Sequence, residues 1–402
     1  MLRPTTTPEL QEAITGAWAD ATTLEVRAGG SKEALGRDAP AAQSLDLTAL
    51  SGIVDYDPAE LVLTARAATP LAVVRAALAE RNQHLAFEPP DYAALLDSTR
   101  APTLGGTLAA NLSGPRRLSA GAARDHFLGL SAVSGHGELF KSGGRVVKNV
   151  TGYDLSKLLA GSFGTLAVLS EVTVKVMPAP EETCTVLVHD QTAAQAVSWM
   201  TRLTATPIDA SGLAYLPLPA CGRSKVHAVR ASGGAVTALR LEGIGASVSA
   251  RLQALRDGWL ADAGHGYETT VVDADDSRVL WNEITDCHLL SGHGVVWKLS
   301  VPPARGADVA ARLTAVLDCE VLLDWAGGLV WAVVRGDAAQ EALVRGTLRD
   351  CGGHATLIRA SAAERRRCPV FEPLAPSVAA LSRRIKGAFD PGGILNPGRM
   401  FA

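Results

Sequence analysis

KNVTGYDLSKLLAGSFGTLAVLSEVTVKV, residues 148–176, carries two periodicities back to back. Leu155, Leu158 and Leu159 fall at i, i+3 and i+4, one face of a short helix. Gly161 stands where such a helix ends. From Leu166 the period becomes two. Leu166, Val168, Val172, Val174 and Val176 are expected on one strand face, with Glu171, Thr173 and Lys175 on the other. Gly161 and Gly164 separate helix from strand, so bare main chain lies where a ligand could rest against it.

Two more glycine elements lie upstream. RAGGSK (27–32) offers consecutive backbone N–H groups around two glycines, which is the composition of a phosphate nest and equally of a hairpin turn. PTLGGTLAANLSG (102–114) reads as turn-like. Its adjacent glycines admit a flat ligand, its alanines keep the surface low, and Asn111 supplies donor and acceptor atoms. A tight loop packed on a core would look the same. No GxGxxG and no GxxxxGK[ST] occurs, so neither a Rossmann nor a P-loop site is supported.

The rest of the chain has an α+β rhythm. A helix is expected over 8–19 with Thr7 as N-cap, a short strand running into a Gly turn over 24–32, a strand over 61–69, a helix over 71–83, and a hairpin turning at 134–137. After 177–180 (MPAP) the texture changes to helices and strands of similar size. Helical periodicity recurs at 192–203, 247–264, 306–319 and 337–351, with strand-like runs at 295–303 and 327–336. That suits an antiparallel sheet with helices on one face. The tail, 384–402, is rich in Gly and Pro and is not expected to be a simple helix. Domains are therefore expected at 1–178 and 179–383, followed by the tail.

Among 402 residues the net charge is −3 and neither sign clusters, which argues against nucleic acid as a partner. No signal-peptide pattern and no long apolar run is present, so no integral membrane span is expected. Six cysteines are scattered without a CxxC, so no cluster or zinc ligation is expected, only reduced and mostly buried thiols.

RAGGSK, PTLGGTLAANLSG, RDHFLG (124–129), the 148–172 run and FDPGGILNPGR (389–399) together resemble the FAD-dependent oxidoreductases of the vanillyl-alcohol oxidase type, the PCMH fold. Within them the chain most resembles the FAD-binding E subunits of glycolate oxidase. The motifs occur in family order from residue 27 to the C-terminus. The resemblance implies an α+β chain: a two-subdomain FAD-binding domain, an α+β cap with an antiparallel sheet, and a tail returning to the flavin. By resemblance Ala28, Gly29, Gly30, Ser31 and Lys32 match the pyrophosphate loop. Thr103, Leu104, Gly105, Gly106 and Asn111 match the segment passing the ring and pyrophosphate. Gly161, Gly164, Thr165 and Val168 match contacts to ribose, diphosphate and adenine, and Asn396 matches a tail residue near the ring. The implied activity is oxidation of a small 2-hydroxy acid, glycolate. The implied partners are a second flavoprotein subunit and an iron–sulfur subunit, in the cytoplasm or at the inner membrane face through the complex.

Two departures from the family stand out. Ser31 replaces the histidine that links FAD covalently in some relatives, so non-covalent FAD is expected. The nine histidines are scattered, the nearest pair being His288 and His293, so the His-rich metal site of D-lactate and 2-hydroxyglutarate relatives is not expected. That leaves open a non-catalytic flavin relay or scaffold. For catalysis, Lys298 in VVWKLSVPP is the first cation candidate for a carboxylate, against a surface lysine that merely snorkels. His288 and His354 are candidate bases, against ordinary hydrogen-bonded histidines. Trp281, Trp325 and Trp331 could line a substrate cavity or simply pack the core.

Overall fold

The computed structural model describes residues 1–144, 152–260, 267–290 and 294–400, the side chains of 259 and 260 apart. Residues 148–151 of the opening stretch, and His293, lie outside the described residues. The chain forms two units. One comprises Met1–Ser113, Ala122–Pro178 and Arg365–Ala402; the other comprises Gly114–Gly121 and Ala179–Glu364. One break between the units falls after Pro178; the C-terminal segment Arg365–Ala402 returns to the first unit, and an eight-residue piece, Gly114–Gly121, belongs to the second.

The first unit is built on a five-stranded sheet in the order Ile53–Asp57, Val62–Arg66, Ala167–Lys175, Phe127–Ser134, Leu139–Gly143. All its pairings are antiparallel. Two hydrophobic cores flank the central strand. Leu63, Leu71, Leu104, Leu108, Val172 and Val174 belong to one, and Leu10, Ile14, Leu24, Val133, Val168 and Leu395 to the other. The expected even-numbered face does not hold along the whole strand. Ser131 pairs with Glu171 but Ala132 with Leu169, so a bulge at Ser170 resets the alternation. Leu169 therefore shares a core with Val172, and Val168 turns to the opposite side.

Other local expectations are adjusted by capping. The first helix is Thr7–Ala19, and its cap is Thr6, whose hydroxyl accepts from the Glu9 N–H, while Glu9 reaches back to the Thr5 N–H. The turn-like reading of 102–114 is corrected: Leu104–Ala109 is a short helix, capped by Thr103. Glycines at 105 and 106 hid it, because intrinsic propensity counts them against helix. Gly105 is there because Ala67 passes beneath: a Cβ on it would sit 2.6 Å from the Ala67 carbonyl oxygen. Of the tail, the first six residues finish the helix Pro376–Phe389, and 390–400 are not helical. Beyond it Leu395 bridges to Leu24, beside the parallel pair Leu24–Arg27 and Gln43–Asp46.

The second unit is one eight-stranded antiparallel sheet in the order Thr269–Val272, Glu182–His189, Val236–Gly243, Gly212–Leu216, Cys319–Asp324, Leu329–Val334, Val295–Ser300, His354–Arg359. Each half is a βαββαβ unit with its own strands ordered 4-1-3-2. The halves meet through the single pairing of Tyr215 with Leu323. This duplication explains the evenly sized helices and strands that the sequence shows after residue 180.

Candidate functional site

The loop after the strand Leu24–Arg27 lines a cleft in the first unit. Ala28, Gly29, Gly30, Ser31 and Lys32 form one wall. Their five successive N–H groups meet no acceptor among the described residues. Gly30 is left-handed at φ +79°, and a Cβ on Gly29 would meet the Ala101 carbonyl at 2.0 Å, so this curl needs both glycines. Thr103, Gly105, Gly106, Ala109 and Ala110 form the floor, with no side chain larger than threonine. Gly164, Val168 and Asn396 close the far side.

The charges at the cleft favour an anion. Lys32 is partly buried and, among the described residues, donates only to the Ser31 hydroxyl at 3.3 Å. Burial pulls its ammonium down to about 8, with Asp91 acting against the shift. Arg27 pairs with Glu25 and Glu33, yet its buried Nε finds no partner among the described residues. A chain of unpaired N–H groups, an under-compensated lysine and a glycine floor fit a diphosphate joined to a flat ring, as in FAD.

Of the fifteen cofactor residues expected from sequence, eleven line this cleft. Leu104 instead is fully buried in the core, its N–H bonded to the Thr69 carbonyl. Asn111, left-handed at φ +48°, spends its Oδ1 on the Arg124 N–H at 3.1 Å. Gly161 and Thr165 line an adjoining groove against the helix Pro376–Phe389, a groove that also reaches Asn396. Sequence reasoning missed Arg27, Phe163 and Arg399. Arg399 donates to the carbonyls of Lys32 and Glu33 and braces the loop from behind. Its position directly after LNPG was the available signal.

Lys298 lies in the second unit, partly buried, with its ammonium 5.0 Å from the Trp325 ring centre and 5.6 Å from that of Trp331. Burial and then Arg117 lower it to about 8; Cys287 and Asp324 pull the other way. His288 and His354 are exposed, and neither is among the groups acting on Lys298. His354 pairs with Ser300, whereas Lys298 pairs with Thr356. Trp281 packs in the core against Gly212 and donates to Thr185 at 2.8 Å.

A likeness to solved structures bears on the fold. p-Cresol methylhydroxylase aligns with a TM-score of 0.73 at 15% identity, over 99% of this chain and 87% of that one. The 4-ethylphenol oxidase of Gulosibacter chungangensis aligns with a TM-score of 0.71 at 14% identity, over 98% and 88%. The FAD binding domain family matches residues 1–143, and the C-terminal domain of FAD linked oxidases matches 370–400. The fold and the two family matches identify an FAD-linked oxidoreductase of the PCMH type.

Glycolate oxidase subunit GlcE of Escherichia coli K12 is 34% identical over 98% of this chain and 97% of its own length. The D-2-hydroxyglutarate dehydrogenase of Xanthomonas citri pv. viticola is 33% identical over 44% of this chain and 36% of its own length. The chain belongs to the family of glycolate oxidase E subunits, FAD-dependent oxidoreductases acting on 2-hydroxy acids. No helix among the described residues is long and apolar enough to cross a membrane.

Proposed function

We propose that this chain is the FAD-binding subunit of a glycolate oxidase complex, converting glycolate to glyoxylate and passing the electrons to an iron–sulfur partner. The observation that carries the reading is the run of N–H groups from Ala28 to Lys32, unpaired among the described residues, in a cleft that Gly105 and Gly106 also line. FAD, when bound, supplies the acceptor for the hydride that leaves the substrate α-carbon. The loop 28–32 holds the diphosphate, Lys32 adds a cation, and Gly105 and Gly106 admit the ring. With Ser31 in the first loop, the cofactor is held without a covalent bond. Lys298 is the cation we assign to the substrate carboxylate.

A second reading is a flavin relay or scaffold beside a separate catalytic flavoprotein subunit. The exposure of His288 and His354 favours it, because neither offers a sheltered base. One experiment separates the two. The purified chain, loaded with FAD, is mixed with glycolate without oxygen and its visible spectrum followed. Bleaching of the flavin bands supports the oxidase. A yellow protein that does not bleach supports the relay, and a chain that takes up no FAD in any assembly sinks both.

A further inference from the structure

The geometry points to Arg117 as a second carboxylate-binding residue, acting with Lys298 across Trp325 on the small 2-hydroxy acid or its 2-keto product. The inference rests on the reading of the chain as a 2-hydroxy-acid oxidoreductase and adds the residue that completes its anion site.

Four observations carry it. The Arg117 guanidinium lies 4.6 Å from the centre of the Trp325 ring that also holds the Lys298 ammonium at 5.0 Å. Two cations on one aromatic repel each other; Asp324 and Cys287 act against this at Lys298, which makes no hydrogen bond or ion pair with any described residue. A carboxylate shared between Arg117 and Lys298 would offset the repulsion directly. Arg117 is also oriented by its neighbours. Arg116 bonds Glu242 at 2.6 Å, and the Gly114 carbonyl accepts from Trp325 Nε1 at 3.1 Å. These contacts fix Gly114–Gly121, the piece that leaves the cofactor floor to join the second unit. Finally, Trp325 and Ala326 are both left-handed, at φ +53° and +56°, in the hairpin between Cys319–Asp324 and Leu329–Val334. Two such residues in succession store strain, which is retained where the surroundings dictate a geometry, and here it presents the indole to both cations. The Asp324 carboxylate accepts the Trp325 N–H at 2.7 Å and holds the turn.

The groups facing Lys298 are Arg117 from the 114–121 piece, Cys287 after the helix Ala274–Thr285, Asp324 and Trp325 from the hairpin, and Trp331 from the neighbouring strand. Lys298 is charged below about pH 8 and loses its proton above it, so anion binding should fall as pH rises through that range. Removing Arg117 removes a charge that depresses Lys298 and should move this limb upward.

The test is calorimetric titration of the FAD-loaded chain with glycolate and, as a tighter probe, oxalate, for wild type, Arg117→Gln, Arg117→Lys and Lys298→Met. Flavin absorbance and circular dichroism verify that each variant is folded. Arg117→Gln and Lys298→Met are each expected to weaken oxalate binding by about tenfold or more, the loss of one charge-assisted contact. Arg117→Lys should recover part of it, and the alkaline limb should shift up in Arg117→Gln. Wild-type affinity in folded Arg117→Gln, an unmoved limb, or no carboxylate binding by wild type would overturn the proposal. Should wild type bind oxalate but not glycolate, and both variants lose oxalate, the anion site stands and the glycolate assignment fails.

Discussion

Asn396 accepts the backbone N–H of Val26 at 2.8 Å, across 370 residues of sequence. Its amide nitrogen donates to the Phe163 carbonyl, also at 2.8 Å. One side chain therefore joins the strand that launches the loop 28–32 to the turn that carries Gly164. It does so from a left-handed backbone at φ +42°, which Asn tolerates better than most residues. Asn396→Gly keeps that backbone and removes both bonds. It is expected to cost about 2 kcal/mol, near 1 per bond, and to weaken FAD binding. Asn396→Ala should cost about 1 kcal/mol more for the backbone alone. Denaturant midpoints and flavin-fluorescence titrations check both. A glycine variant with wild-type midpoint and affinity would remove the clamp from the account.

Gly106 gives the cleanest test of the cleft. A Cβ there meets only the Thr103 Oγ1 at 3.0 Å and otherwise points into open space, whereas one on Gly29 or Gly105 strikes main chain. Gly106→Val should therefore fold, with an unchanged far-ultraviolet spectrum, and lose most of its FAD. Full flavin occupancy in that variant would sink the assignment of the 103–110 floor.

The sequence made this floor legible as a place but not as a structure. Glycine pairs signalled close approach, yet the same glycines disguised the helix Leu104–Ala109, because what stabilises it is Ala67 running beneath and the Thr103 cap. The strand Ala167–Lys175 shows a comparable limit. Its alternation was visible, but the bulge at Ser170 is set by the partner strand Phe127–Ser134. Arg117 was invisible for a third reason. Nothing local marks eight residues of the first half of the chain as part of the second unit; only Trp325 and Glu242, more than a hundred residues away, make the assignment.

Lys32 should make cofactor affinity pH-dependent. Burial has already lowered its ammonium to about 8, so it carries its charge below that pH and loses it above. A bound diphosphate stabilises the charged form. FAD affinity is thus expected to hold below about pH 8 and to fall as pH rises through it. Lys32→Met should bind about tenfold more weakly at pH 7, for one charged contact, and its affinity should show no such limb. An identical pH profile in wild type and Lys32→Met would place the titrating group elsewhere.

Glu242 is expected to contribute to the acid limit of the second unit. Burial on its own would raise this carboxyl, but Arg240 and Arg116 outweigh it and hold the group below the ordinary range. Its oxygens lie 2.6 Å from Arg116 and 3.2 Å from Arg240, and the Arg240 side chain is only 3% exposed. A carboxyl depressed in the folded state adds stability at every pH above its unfolded value, about 4.3, and that contribution is lost as pH falls through the folded value. Glu242→Gln removes the carboxylate that pairs with both arginines, one of them buried, and should cost about 3 kcal/mol at pH 7. It should also flatten the loss of stability below about pH 4, since the group that titrates there is gone. Thermal unfolding from pH 7 down to 3 compares the two proteins. A variant that keeps the full acid slope would assign that slope to other carboxylates. A variant as stable as wild type at pH 7 would mean that Arg116 does not depend on Glu242 to hold 114–121, and Arg117 with it, against the sheet.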